Sequence, residues 1–302
     1  MKQEFVEFII PTLVRDTEML VNCKNSIISQ EGLFGIRIFV EKGFGFATNV
    51  NSGIKKGKSK YVALINDDVI LAKDWLTEAL RVLKSHPDCA AAATKVLTFD
   101  GKYIDSCGMD ILKEGKAIKR GDGFKNDKSC FNNIEEVFGV PCSAALFQRE
   151  ALHKVGLFDE DFNSYEEDVD ISFRLRLLGF KIFYASKAVA FHKIHATSSE
   201  LANFKAKMDA KNWIFIILKN YPSGFIMRFA PYILIERLRN LSGLIKETYY
   251  HNKWKSIWII PLSFIATYKD VITKFPNMMQ KRKKIQKTAV IKYSDMMKWM
   301  AN

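Results

Sequence analysis

Through the first 200 residues, short apolar runs alternate with stretches whose apolar positions recur every three or four residues. Phe5 to Ile10 is apolar-rich and predicts a strand stopped by Pro11. Asp16-Thr17 can cap a helix that buries Met19, Leu20, Cys23 and Ile27 at helical spacing. Ile36 to Val40 predicts a second strand, and the turn Gly43-Phe44-Gly45 leads into a helix from about Ala47 to Lys55. Tyr61 to Ile65 is a third strand. Trp75, Leu76, Ala79, Leu80 and Leu83 form the stripe of the next helix. Residues 95–140 are punctuated by Gly and Asp, as in TFDGKYID, and predict hairpins and loops. Ala144 to Phe147 is strand-like, Glu167 to Leu178 helical and closed by Gly179, and Lys181 to Ala185 a further strand. Such alternation predicts an α/β fold with a parallel, doubly wound sheet. After about residue 200 the pattern turns to long helices, which Pro222, Pro231, Pro261 and Pro276 should break into segments.

Charge divides the chain in the same place. Its 302 residues carry a net +13, which first suggests a nucleic-acid binder. Residues 201–302, however, hold 19 Lys/Arg against 5 Asp/Glu, a net of +14, while residues 1–200 hold 27 against 28. A neutral front and a basic back predict two functional parts, 1–200 and 201–302. The tail also has 16 aromatics, including Trp213, Trp254, Trp258 and Trp299, and a cationic run at Lys281-Arg282-Lys283-Lys284. Aromatics mixed with lysines suit helices lying in a membrane interface; the plain alternative is a helical subdomain packed on the rest. Five scattered cysteines without a C-x-x-C pair argue against a disulfide framework or zinc site and fit a reducing cytosol. MKQEFVEFIIPT is too short and acidic for a signal peptide, and no apolar run is long enough to span a bilayer.

The sharpest chemistry lies in YVALINDDVILAKDWL, residues 61–76, where a buried-looking strand ends in Asn66-Asp67-Asp68. Adjacent carboxylates there fit either a polar turn or a divalent-cation site at the carboxyl end of a strand, where open α/β sheets bind ligands. Hard Mg²⁺ or Mn²⁺ prefers such oxygen ligands. His192, in VAFHKIH, can be a ligand or a satisfied strand-end histidine. Gly45 can admit a ligand close to the backbone, with helix N–H groups behind it for a diphosphate, or simply make a turn. Glu167 and Asp168 open a helix and complement its dipole in any case. Asp170 and Arg174 have the spacing of an exposed i,i+4 pair.

Five motifs in order resemble the inverting glycosyltransferases of family two, and most closely their bacterial rhamnosyltransferase-like members. These are IIPT (9–12), GFATNVNSGI (45–54), LINDDVILAKDWL (64–76), VPCSAALFQREALHKVGLFDEDFNSYEEDVDISFRLRLLGFKIFY (140–184) and VAFHKIHATS (189–198). The resemblance covers the first 200 residues and implies a GT-A fold, a Rossmann-like, mostly parallel sheet, with a C-terminal helical extension. It implies Asp68 as direct ligand to Mg²⁺ or Mn²⁺, with Asp67 and His192 beside it. Pro11, Glu41, Gly45, Phe46, Asn51, Asn66 and Asp67 fall on the donor nucleotide side, whereas His195 is not counted among these residues. Asp168, next to Glu167, becomes the catalytic base. The implied reaction moves a sugar, by resemblance rhamnose from a dTDP donor, or another dTDP- or UDP-sugar, to a lipid-linked or polysaccharide acceptor. The basic tail would hold the enzyme on the cytoplasmic, anionic face of the membrane.

One segment departs from the family. The chain runs from Gln30 through EGLFG straight to IRIFVEKGFGFA, so roughly 20 residues with a strand are missing, and Glu41 is the only acid left for the base or ribose. Two other function classes compete. A sugar nucleotidyltransferase needs a glycine-rich, arginine-containing loop after the first strand, where this chain has IIPTLVRDTE. A basic RNA- or membrane-binding module without catalysis needs, for RNA, a recognition motif that this sequence lacks.

Overall fold

A computed structural model describes residues 4–13, 17–32, 34–127, 129–193, 199–252, 256–291 and 293–300. The chain forms two compact units. The first holds residues 1–110 and 117–195, the second residues 111–116 and 196–302.

The first unit is a three-layer α/β structure. Its strands are β1 (Glu4–Thr12), β2 (Phe34–Lys42), β3 (Tyr61–Ile65), β4 (Val69–Leu71), β5 (Cys89–Thr98), β6 (Ile104–Ser106), β7 (Met109–Ile111), β8 (Ala117–Lys119), β9 (Glu135–Glu136), β10 (Ala144–Gln148) and β11 (Lys181–His192). The main sheet has the order β2-β1-β3-β10-β5-β11-β4, with β6 on β5 and β9 on β11; β7 and β8 pair separately. Five strands of the main path run one way, and β10 and β4 run against them. The sheet is mostly parallel, as predicted.

Helices α1 (Glu18–Ile28) and α3 (Trp75–Ser85) bury Leu20, Cys23 and Ile27, and Trp75, Leu76, Leu80 and Leu83, with the side chains of one sheet face. Helices α2 (Phe46–Lys56) and α5 (Glu167–Leu177) bury Ala47, Val50 and Ile54, and Ile171 and Leu175, with those of the other. A short α4 (Arg149–Lys154) follows β10 directly. The Thr17 hydroxyl accepts the Leu20 N–H at 3.1 Å and starts α1, whereas Met19 is only partly buried.

Three expectations change. Pro11 does not stop β1, which continues through Pro11 and Thr12 in register with Glu41 and Lys42. The pairing of β1 with β3 covers only Val6 to Ile9, so the missing N–H of Pro11 costs that ladder nothing. The long β5, central in the sheet, was not predicted. Its run Ala90-Ala91-Ala92-Ala93 has no apolar bulk to show a period, and alanine favours helices. In register beside these alanines stand Phe147 and Leu146 on β10, and Ile182, Phe183 and Tyr184 on β11. Third, Lys181–Ala185 and Val189–His192 are one strand, joined through an irregularity in the register with β5.

In the second unit, α6 (Ser199–Asn220) packs against α8 (Ser256–Thr288), with α7 (Ser223–Asn252) between them in sequence. Pro222 precedes α7, but Pro231 lies inside α7, and Pro261 and Pro276 inside α8. An interior proline costs about 3 kcal/mol. Buried anchors beside two of them, Phe229 and Met278, give the packing that outweighs it. Gly115 (φ 79°) ends its peptide on two donors of α6 and its end, the Trp213 indole at 2.9 Å and the Tyr221 hydroxyl. No helix among the described residues is long and apolar enough to cross a membrane. His195 and Trp254 lie outside the described residues.

The alanines leave no spare volume, so Ala91→Leu should cost about 1–3 kcal/mol. Urea unfolding should show a lower midpoint with an unchanged slope; an unshifted midpoint would contradict this packing.

Candidate active site

Asn66-Asp67-Asp68 is both a turn and an acidic cluster: three residues take the chain from the carboxyl end of β3 to β4, at the far end of the strand order. The Asn66 N–H donates to Ser143 O at 2.9 Å, and the Val69 N–H to Asn66 O at 3.2 Å. The Thr12 hydroxyl donates to Asp67 Oδ2. Beneath the pair lies Cys23, whose thiol burial, with the charges of Asp67 and Asp68, pushes up to about 12. A neutral thiol is what a buried floor under two carboxylates tolerates.

β4 pairs antiparallel with the end of β11, setting His192 opposite Val69, and Lys193 N–H donates to Asp68 O at 3.0 Å. That register places His192 Nε2 3.3 Å from Asp68 Oδ1. The other ring nitrogen, Nδ1, lies 3.1 Å from Oδ2 of Asp105 on β6, and Asp105 Oδ1 accepts from Lys119 Nζ at 2.8 Å. Burial pulls the His192 pKa down, but the hydrogen bond with Asp105 and the nearby Asp68 and Asp105 carboxylates outweigh it and raise it to about 9.

On the other side, the N-terminus of α5 presents Asp168, partly exposed, with its neighbour Glu167 buried. Burial raises the Asp168 pKa above the usual carboxylate range, against backbone donors from Val169 (2.8 Å) and Cys142. Cys142 and Ser143 are consecutive. One donates to Asp168 and the other accepts from Asn66, so the two acidic groups flank the entrance to β10. The charge of Lys119 also acts on Asp168. Contacts therefore form two short chains: Asp68–His192–Asp105–Lys119 on one side, and Asp168–Cys142 next to Ser143–Asn66 at the entrance to β10.

Asp68 Oδ1 is buried and accepts no well-formed hydrogen bond, its polar neighbour being the His192 ring. Cis ligands at about 2.1 Å from an octahedral ion stand about 3 Å apart, close to the Asp68–His192 separation. Among the described residues no three His, Cys, Asp or Glu converge as a closed metal cage. Two protein ligands with the rest left to diphosphate and water suit Mg²⁺ or Mn²⁺. These residues fit such an ion.

The donor-side residues are placed unevenly. Pro11 and Glu41 are register partners at the carboxyl ends of β1 and β2. Glu41 accepts from Lys56 Nζ at 2.7 and 2.8 Å and from Ser52 at 2.8 Å, so a ligand must compete with both. Gly45 (φ 92°) makes a turn where a Cβ would meet Asn163 Oδ1 at 2.7 Å. The helix N–H groups after it are not open to a diphosphate: Phe46 N and Ala47 N point to Ser164 Oγ and Asn163 O, each 3.4 Å away. The Phe46 ring packs edge-on against Phe158. Asn51 is buried, donates to Phe158 O and Glu160 Oε1, and accepts from Phe158 N–H. Its amide fixes the 158–160 loop and offers no N–H to a ligand. Asp170–Arg174 is a correction as well: the pair is buried, not exposed, and Arg174 Nη1 also donates to Val155 O and Leu157 O, each at 2.6 Å. The helix has almost no solvent face because the sheet and the 155–166 segment enclose it.

Sequence reasoning missed Thr12, Asp105 and Lys119. Asp105 sits in YIDSCG, read as loop, and its partner is 87 residues away.

The chain matches the model of the family described as "Glycosyltransferase like family 2" over residues 26–209. It is 22% identical over 246 residues to the poly-beta-1,6-N-acetyl-D-glucosamine synthase of Staphylococcus epidermidis, covering 77% of this chain and 52% of that protein. It is 36% identical over 75 residues to the N-acetylglucosaminyl-diphospho-decaprenol L-rhamnosyltransferase of Mycobacterium tuberculosis, 24% of each chain. The chain thus spans about half or less of the curated relatives it matches. Among solved structures, GalNAc-T7 with UDP, GalNAc and Mn²⁺ superposes with a TM-score of 0.60 at 12% identity, covering 88% of this chain and 58% of that one. This likeness is one of fold, the GT-A arrangement.

Removing one partner of a buried ion pair costs about 3–5 kcal/mol. Arg174→Met should therefore lower unfolding free energy by that amount in urea titration. A loss below 1 kcal/mol, the surface-pair range, would contradict the buried geometry.

Proposed function

The chain belongs to glycosyltransferase-like family 2, matched over 26–209, and on that premise we propose that it transfers a glycosyl group from a nucleotide-sugar with inversion. What carries the reading is the pair of consecutive residues Cys142-Ser143, which hold Asp168 through one backbone contact and Asn66, two residues before the His192-paired Asp68, through the next. Inversion needs opposed groups, because the acceptor attacks from the face away from the leaving diphosphate. Asp68 and His192, with Asp67 behind them, would hold a divalent cation, which when bound would neutralise charge on the departing nucleoside diphosphate. Asp168 takes the proton of the acceptor hydroxyl as its oxygen bonds to the anomeric carbon and the carbon–diphosphate bond breaks. A raised pKa makes that carboxylate a better base. Glu41 and Pro11 border the nucleotide. The sugar we favour is rhamnose from a dTDP donor, to a lipid-linked or polysaccharide acceptor. The 75-residue likeness to a rhamnosyltransferase supports it.

We also infer that the second unit docks on an anionic membrane face on the cytoplasmic side. Met227, Leu234, Ile235 and Leu238 lie along one stripe of α7 and are each about half or more exposed. The basic excess of residues 201–302 complements anionic headgroups at about 1 kcal/mol per Lys/Arg near the surface.

Two experiments test these readings. Asp168→Asn should keep metal-dependent binding of the nucleoside diphosphate while turnover falls at least about a hundredfold, and the wild-type product should have the anomeric configuration opposite to the donor. A nearly active variant, retained configuration, or normal turnover after chelation would refute the mechanism. For docking, flotation with phosphatidylserine vesicles should recover the protein at low salt and release it at high salt. Failure to float at low salt would leave the second unit as a packed subdomain.

A further inference from the structure

Asp105 and Lys119 belong to none of the motifs that carry the family resemblance, yet they stand directly behind His192. We propose that Asp105 is a positioning residue that orients the His192 imidazole toward a divalent cation, and that Lys119 holds Asp105 in place. The proposal rests on the assignment of Asp68 and His192 as ligands.

An imidazole can present one nitrogen lone pair to a cation only if the other nitrogen keeps its proton and finds an acceptor for it. His192 meets that requirement through its two contacts. Nε2 points to Asp68 at 3.3 Å, and Nδ1 points to Asp105 Oδ2 at 3.1 Å. Asp105 cannot turn away to solvent, because its side chain is only 2% exposed. Its second oxygen is taken by Lys119 at 2.8 Å, so the carboxylate is fixed at both ends. The three side chains come from β6, β8 and β11, and none of their strands is a sequence neighbour of Asp67-Asp68. A buried acid whose oxygens are divided between a strand-end histidine and a half-exposed lysine is more than a hairpin clasp: it sets which ring nitrogen faces the acidic pair. The competing explanation is that Asp105 merely ties β6 to β11.

The two explanations separate in a mutant cycle read by Mn²⁺ binding to the full chain, measured calorimetrically without donor. Asp105→Asn should weaken Mn²⁺ about 10- to 100-fold. His192→Ala should weaken it at least as much, and adding Asp105→Asn to His192→Ala should cause no further loss. A purely structural Asp105 would lower the melting temperature of the metal-free protein but leave the Mn²⁺ affinity of the folded protein unchanged, or cause equal losses in both backgrounds. Either outcome overturns the proposal. Should Asp105→Asn not fold, Lys119→Met at its half-exposed position serves instead: it should weaken Mn²⁺, and that loss should vanish once His192 is alanine. Wild-type protein that binds no Mn²⁺ would overturn the cation assignment and this inference together. Wild-type binding with unaltered variants would overturn only the role of Asp105.

Discussion

Asp67, Asp68, Asp105 and Asp168 come from three separate segments yet gather at one end of the sheet, where two unit charges 4 Å apart repel by about 4 kcal/mol at a protein surface. The fold tolerates this only because each carboxylate has a compensating group in reach. Thr12 donates to Asp67, His192 lies against Asp68 and Asp105, Lys119 closes on Asp105, and backbone N–H groups serve Asp168. Those groups arrive by topology. β11 must run on past its irregularity to deliver His192, and the β7–β8 hairpin must fold back to deliver Lys119. Extensions that look like embellishments of a doubly wound sheet are what make its acidic edge affordable.

The second requirement is rigidity on the α5 side. Asn163, Tyr165 and Glu166 all have positive φ, and Leu157 does too, in a segment that precedes Asp168 by a few residues. Non-glycine residues there cost roughly 1–3 kcal/mol each and persist only where their surroundings hold them. Asn51 grips Phe158 and Glu160 from α2, and Arg174 grips Val155 and Leu157 from α5 itself. The side chain of Asn51 thus steadies the approach to Asp168 at one remove, although its amide offers no free N–H to a ligand.

Much of this was legible in the sequence, and the failures have physical causes. Strands β1, β2, β3 and β10 and helices α1, α2, α3 and α5 announce themselves through period or apolar run, and the order of the motifs points to the acidic edge. The centre of the sheet did not, since alanines carry little patterning signal and lean toward helix. Prolines in α7 and α8 promised breaks that packing overrode. Asp170 and Arg174 looked like a surface pair because spacing shows adjacency on a helix and not which side is buried. Asp105 was hidden for a different reason: a lone acid in a three-residue strand gains meaning only from a histidine brought to it by the register of β11.

β2 ends the strand order, held on one side by β1. Only residues 29–33 separate it from α1, too short a span for another strand to cover it. A nine-residue edge of this kind is a template on which a strand from another molecule could align. Arg37, mostly exposed although it reaches Glu7 at 3.5 Å, and the exposed Lys42 put cationic side chains along it, a device that disfavours edge-to-edge pairing of like molecules. The consequence is colloidal: cationic side chains on this rim disfavour self-association through β2, whatever the packing of the interior.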